Sequence, residues 1–293
     1  MLFTMDHLIA GQLPGTARPM RSLLAATAFA MVALSGFSAS ADPAATKPET
    51  VAALTLNDAF RQTSCRAQPH ALVGDLGRTA RLLLAHEPVK IVALGSSSTA
   101  GAGASSPDHS YPSRLAAELR ARFPLSPITL INRGVNGEEC SDMLARLDRD
   151  VLAEKPDLVL WQVGSNALLR NKDFKPVGDG VEIGVRDMRA IGANVLLIDP
   201  QYSPGVIANP RRMDMIDMLG SLGKRLGVPV FERYESMRHW HEDQSIPFQT
   251  FMTNDGVHLN DWGYACFARL MADDIADAVN RTRAIATASP AGR

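Results

Sequence analysis

The sequence predicts an α/β fold: a five-stranded parallel sheet with helices on both faces. Two observations carry this reading. Short apolar runs over 89–94, 128–132, 158–163, 195–198 and 228–231 are rich in β-branched and aliphatic residues, as strands buried on both faces are. Longer segments with apolar residues at three- and four-residue steps separate these runs, and strands alternating with helices imply βαβ units. No internal repeat and no linker divides residues 51–283, so one domain is expected there.

The elements follow in order. Arg18 and Arg21 precede an apolar stretch over 23–34, and Ala39-Ser40-Ala41 is a small-residue cleavage pattern. Residues 1–41 therefore read as a secretory signal peptide, with an uncleaved anchor as the competing reading. The apolar stretch is short for a membrane span. Met20 is an alternative start, which would leave Arg21 as the basic residue ahead of it. Residues 42–50 are Pro- and Ala-rich and read as a flexible leader. Helices over 54–64 and 72–85 form an N-terminal helical extension (51–88), closed by Pro88. Between the strands, helices are expected over 111–123, 141–152, 181–191, 210–226 and 234–241. Ser110 is a candidate cap, and Pro124, Gly192 and Gly227 are stops. A last helix starts near Asn260-Asp261, with Phe267, Leu270, Met271, Ile275, Ala278 and Val279 on its apolar face. Residues 284–293 read as a disordered tail.

The chain has 293 residues, 46% of them hydrophobic, and a formal net charge of −1. That is enough apolar material for one large core, and the charge gives no footprint for nucleic acid. Its three cysteines are Cys65, Cys140 and Cys266. Export would permit one disulfide. Cys65 with Cys140 is a possible pair, leaving Cys266 in the last helix, but the sequence does not decide it. No C-x-x-C spacing suggests zinc or a cysteine nucleophile.

Four motifs carry candidate chemistry. The first strand runs into Gly95-Ser96-Ser97-Ser98-Thr99-Ala100-Gly101, and the ends of parallel strands are where α/β folds place active sites. A phosphate loop would need Gly-Lys-Ser/Thr, and a dinucleotide loop a third glycine where Ser106 stands. An α/β-hydrolase elbow would need Gly where Thr99 stands. What remains is a cluster of hydroxyls. After the second strand comes Asn132-Arg133-Gly134-Val135-Asn136-Gly137-Glu138, either an Asn-Gly turn or a backbone free to aim N–H groups at a ligand. After the third comes Trp161-Gln162-Val163-Gly164-Ser165-Asn166. Its Asn is a capping residue or an amide donor for an oxyanion. Before the last helix stands Asn254-Asp255-Gly256-Val257-His258-Leu259-Asn260. Asp and His three residues apart can share a face, the carboxylate holding the imidazole as a base.

Together these blocks, in the order Ser…Asp…His, resemble the SGNH (GDSL) hydrolase family, most of all in the run from Asp255 to Tyr264. The resemblance implies a flavodoxin-like three-layer α/β/α sandwich and ester hydrolysis without metal or organic cofactor. By its motifs Ser97 is the nucleophile, His258 the base and Asp255 its orienter. Ser97 N–H, Gly137 N–H and the Asn166 side chain would form the oxyanion hole. Two positions depart from the family pattern: Ser96 stands in place of the Asp of Gly-Asp-Ser, and Ala167 in place of the Asp after Asn166. The register favours Ser97, with Ser96 and Ser98 as alternatives.

The function expected is a periplasmic or secreted serine esterase, removing acetyl or short acyl groups from glycans or lipids. An O-acyltransferase acting on a cell-envelope glycan and a noncatalytic glycan-binding module are the alternatives. A small-molecule or glycan ester is the expected partner, with no nucleic acid and no lasting membrane contact. The rate should rise from acid to neutral pH, because the base must be unprotonated to accept a proton. Gln201 and Tyr202 follow the fourth strand and could reach the pocket. Tyr202 and Trp240 could also line a sugar site, although packing explains them as well. His239 and His241 lack an evident third metal ligand, and the Asn280-Arg281-Thr282 sequon is uninformative after a bacterial-type signal.

Overall fold

The computed structural model describes Cys65, residues 72–74 and residues 76–288. The signal peptide, the leader, the helix expected over 54–64 and residues 289–293 lie outside the described residues. The chain runs α1 (Gly77–Leu84), β1 (Val89–Gly95), α2 (Ser97–Ala100), α3 (Tyr111–Arg122), β2 (Ile128–Gly134), α4 (Cys140–Ala145), α5 (Leu147–Asp150) and β3 (Leu158–Gln162). It continues through α6 (Ser165–Leu169), α7 (Lys175–Ala190), β4 (Asn194–Ile198), α8 (Pro204–Ile207), α9 (Arg212–Leu226) and β5 (Val230–Phe231). Last come α10 (Arg233–Arg238), α11 (Phe248–Phe251) and α12 (Asp261–Ala288).

The five strands pair in the order β2-β1-β3-β4-β5, every pair parallel. This is the flavodoxin-like order, whose connections reverse direction between β1 and β3 and so open a crevice beyond those two strand ends. Helices α1, α3 and α12 pack together, and α4, α7 and α9 form a second group, giving the expected three-layer α/β/α sandwich. Strands β3 and β4 are buried at every residue and β1 at all but one. Their continuous apolar runs follow from having helices over both faces.

Where element bounds differ from those expected, packing explains the difference. Helix α7 starts six residues earlier than its apolar pattern suggests. Gly178, Gly180 and Gly184 interrupt that pattern, and glycine is a poor helix former. Two of these glycines are close approaches: a Cβ on Gly184 would lie 2.5 Å from the Trp161 ring, and one on Gly180 2.7 Å from Cys140 Sγ. The helix expected over 141–152 breaks at Arg146, whose guanidinium turns inward to Glu138 and Asp150. Pro229 has no N–H for a ladder, and β5 spans two residues only. The helix expected over 234–241 ends at Arg238 and passes into a wider π turn over His239–Asp243.

One expectation is corrected, and the cysteine pairing that the sequence leaves open is resolved. Residues 284–288, assigned to a tail, continue α12; three of the five are alanine, the strongest helix former. The disulfide joins Cys65 to Cys266, with Cα atoms 5.2 Å apart, and not to Cys140. Cys140 opens α4 in the layer of α7, where its buried thiol faces Val177 O. Cys266 lies in the other layer, on α12. No described helix is long and apolar enough to cross a membrane.

Candidate active site

The site begins where β1 and β2 end side by side. Gly95 and Gly134 are register partners, and both must lack a side chain. A Cβ on Gly95 would sit 2.2 Å from Thr99 Oγ1, and one on Gly134 2.1 Å from Ala100 N. The paired glycines make room for the single turn α2 to lie across the strand ends. Asn132 fastens that turn: its Nδ2 donates to Thr99 O at 2.7 Å, while its Oδ1 accepts from Gly134 N at 2.8 Å. Gly101, at φ +97°, ends the turn in the left-handed region that favours glycine.

Of the three serines on this turn, Ser96 and Ser98 are buried and Ser97 is partly exposed. Ser97 Oγ lies 2.8 Å from His258 Nε2, and His258 Nδ1 lies 2.6 Å from Asp255 Oδ2. An ionised carboxylate can only accept, so Nδ1 carries the ring proton and Nε2 is left to accept from the Ser97 hydroxyl. The other oxygen of Asp255 accepts from Thr253 Oγ1 at 2.7 Å, Val257 N at 2.8 Å and His258 N at 2.9 Å. Burial alone would raise this carboxyl. The bonds from the His258 ring and backbone, Thr253 and Val257 outweigh it and hold Asp255 well below the usual carboxylate range. The loop closes on itself through Thr253 N to His258 O and a Met252–Leu259 bridge.

The structure brings the expected oxyanion donors onto neighbouring elements. Ser97 N–H is the first of α2, and the first N–H groups of a helix have no partner within it. Gly137 stands in the β2–α4 loop at φ +79°. Among the described residues neither N–H meets a protein acceptor. Asn166, on α6, donates from Nδ2 to Glu138 O at 2.7 Å. That bond uses one of the two amide hydrogens and fixes the orientation of the amide, leaving the other hydrogen for a ligand.

A buried polar network underlies these groups. Ser96, at the place of the family's Asp, donates from both N and Oγ to Gln162 Oε1. Gln162 Nε2 donates to Ser165 Oγ, which donates to Gln201 Oε1. Gln201 also accepts from Arg233 Nη2, and its own Nε2 donates to Val257 O, next to His258. The network thus reaches from the turn that carries Ser97 to the loop that carries His258. Ala167, the other departure, is buried and packs as an apolar side chain.

The motifs give Gln162, Thr253 and Arg170 no role, and Gln201 only a position after the fourth strand. Glutamine at a strand end and threonine in a loop carry no distinctive spacing. Tyr202 and Trp240 are buried; Tyr202 stacks on Phe248 and donates to Glu242. His239 pairs with Asp243, and His241 contacts Ile246 O. A cleft of about 600 Å³ lies elsewhere, beside β5 between α9 and α12, and is lined by none of Ser97, Gly137, Asn166, Asp255 and His258. Hydrogen-bonding geometry, not cleft size, locates the candidate site.

A family model described as the non-GDSL lipase-like family matches residues 64–281. An acetylxylan esterase of Geobacillus stearothermophilus is 25% identical over 168 residues, covering 54% of this chain and 76% of that protein. An arylesterase of Vibrio mimicus is 24% identical over 156 residues, covering 50% and 70%. Among solved structures, a two-domain esterase active on acetylated mannans has a TM-score of 0.60 at 23% identity over 73% of this chain. The match takes in 55% of that esterase, so the chain spans about half its length. A lipase/acylhydrolase from Enterococcus faecalis has a TM-score of 0.52 at 26% identity, over 64% of this chain and 95% of the other.

Proposed function

The chain belongs to the non-GDSL lipase-like family, and from that premise we propose that it is a serine esterase working through an acyl-enzyme on Ser97. The reaction is ester hydrolysis by an SGNH-type enzyme. The observation that supports the acyl-enzyme reading is the relay Asp255–His258–Ser97, at 2.6 and 2.8 Å.

The steps follow from the geometry. Ser97 Oγ attacks the ester carbonyl as its proton passes to His258 Nε2. Asp255 stabilises the imidazolium so formed. Ser97 N–H, Gly137 N–H and the second amide hydrogen of Asn166 meet the negative oxygen, each such donor contributing on the order of 10²–10³ in rate. His258 then protonates the leaving alcohol. Water, deprotonated by the same imidazole, releases the acid and restores Ser97.

The substrates proposed are acetyl or short acyl esters on glycans. This rests on relatives named for acetylxylan and for acetylated mannans and on a partly exposed nucleophile that a polymer can approach. We also propose export. The pattern over residues 1–41 supports it, as does the Cys65–Cys266 disulfide, a bond that persists in oxidising compartments.

The test is a panel of p-nitrophenyl esters of increasing chain length and acetylated xylan and mannan, with Ser97→Ala alongside. Release of acetate by the parent and its absence in Ser97→Ala are expected, with covalent labelling by a fluorophosphonate lost in the variant. Equal rates in the two proteins would remove Ser97 from the mechanism. Acyl transfer to an added glycan in preference to water would make the protein a transferase.

A further inference from the structure

We infer that Arg170 is a positioning residue of the oxyanion hole, an inference that rests on the esterase reading above. It extends past the end of α6, four residues after Asn166, so both project from one face toward the β2–α4 loop. They donate to consecutive carbonyls of that loop: Asn166 Nδ2 to Glu138 O at 2.7 Å and Arg170 Nη2 to Gly137 O at 2.8 Å. Arg170 Nη1 also reaches Glu139 Oε1 at 2.5 Å.

What distinguishes Gly137 is how little else surrounds it. A Cβ there would meet one atom within 4 Å, Arg170 Nη2 at 3.4 Å. At Gly95, Gly103 and Gly134 a Cβ would meet neighbouring atoms within 2.4 Å, so packing sets those backbones. Gly137 has no such packing, and its left-handed φ of +79° is one of several conformations open to glycine. The next residue is well fastened: Glu138 holds Arg146 through both carboxylate oxygens and gives its carbonyl to Asn166. The peptide between Gly137 and Glu138 is held at its oxygen by the guanidinium and at its N–H only by a long bond to Val135 O, at 3.4 Å. The Gly137 N–H belongs to the preceding peptide, so the grip on the carbonyl acts by fixing the Gly137 Cα and the φ that aims this N–H. A released carbonyl would let the glycine shift and turn its N–H away from the negative oxygen.

An exposed arginine paired with one carboxylate contributes little to stability. Its effect is therefore expected in the chemical step. The experiment compares the parent with Arg170→Met and Arg170→Lys on p-nitrophenyl acetate. It adds thermal unfolding, the rate of fluorophosphonate labelling, and inhibition by a boronic acid, whose tetrahedral serine adduct occupies the hole. For Arg170→Met, kcat is expected to fall about 10- to 100-fold with KM within about threefold, an effect no larger than loss of a whole hole donor. The boronate inhibition constant should rise and labelling slow by a similar factor, with Tm unchanged. Arg170→Lys should recover part of the loss, since an ammonium can reach Gly137 O but lacks the fork that also grips Glu139.

Unchanged kcat in Arg170→Met, or a rise in KM alone, overturns the inference; the second result would assign Arg170 to ground-state substrate binding. A parent that neither turns over esters nor labels overturns the esterase reading and this inference with it. A parent that turns over and labels, matched by Arg170→Met, overturns this inference alone.

Discussion

The carboxamide oxygen of Gln162 accepts from both the backbone N–H and the hydroxyl of Ser96, each at 2.9 Å. Gln162 is 1% exposed and Ser96 2%, so water cannot replace the bonds if they are lost. Gln162→Met keeps the volume and removes the acceptor. Each buried donor left without a partner costs about 1–3 kcal/mol. The variant is expected to melt several degrees lower and to lose kcat more than KM, because the freed groups adjoin Ser97. Unchanged unfolding and kinetics would show that Ser96 needs no partner there.

Asp255 should not titrate over the working pH range. Its folded-state carboxyl is held low, so its stabilising contribution is present above the unfolded value of about 3.9 and is lost only as pH falls through the lower folded value. Down to about pH 4.5, log(kcat/KM) should therefore show no protonation of Asp255. A slope of two would show that Asp255 gains a proton. Asp255→Asn should cost on the order of 10²–10⁴ in kcat, as loss of the orienting charge does in serine hydrolases.

Stability should depend on pH in the opposite sense at two other carboxyls. Burial raises Asp199 to about 7, against the Tyr234 N–H and the charge of Arg233. Burial, then Asp277 and Asp273, raise Asp274 to about 7. In this window the folded chain keeps protons that the unfolded chain has released. Stability therefore falls as pH climbs from about 4 to 7 and levels off above. Asp199→Asn and Asp274→Asn should each flatten a plot of Tm against pH over that interval. A slope unchanged by both would place these carboxyls at ordinary values.

Gly134→Ala tests the paired glycines beneath α2. The added methyl would lie 2.1 Å from Ala100 N and 2.5 Å from Thr99 C, and overpacking of this kind costs about 1–3 kcal/mol. The turn is expected to shift, moving Ser97 away from His258. Fluorophosphonate labelling should slow far more than the drop in Tm implies. Labelling at the parent rate would show that the turn tolerates the methyl.

The parallel sheet and the four site motifs were legible in the sequence because each is a local signal: a buried apolar run, or a small-residue turn at its end. What escaped depends on contacts between distant elements. The glycines of α7 look like breaks until Trp161 and Cys140 lie against them. Which cysteine joins Cys65 follows from the layer each occupies, and linear spacing does not encode that. Among three adjacent serines, the meeting of Ser97 with His258 is decided by the turn over Gly95 and Gly134. Arg170 looks like any exposed helix arginine until its guanidinium is seen at Gly137 O.

The Cys65–Cys266 bond brackets all five strands and every residue from Ser97 to His258. The chain between them is thereby a covalent ring. A protease that cuts one surface loop within the ring opens it without separating the pieces, which stay joined by sulfur and by the packed sheet. Such a nicked molecule would run as one band without reductant and as two with it. A first cut would then be a scar and not a severance.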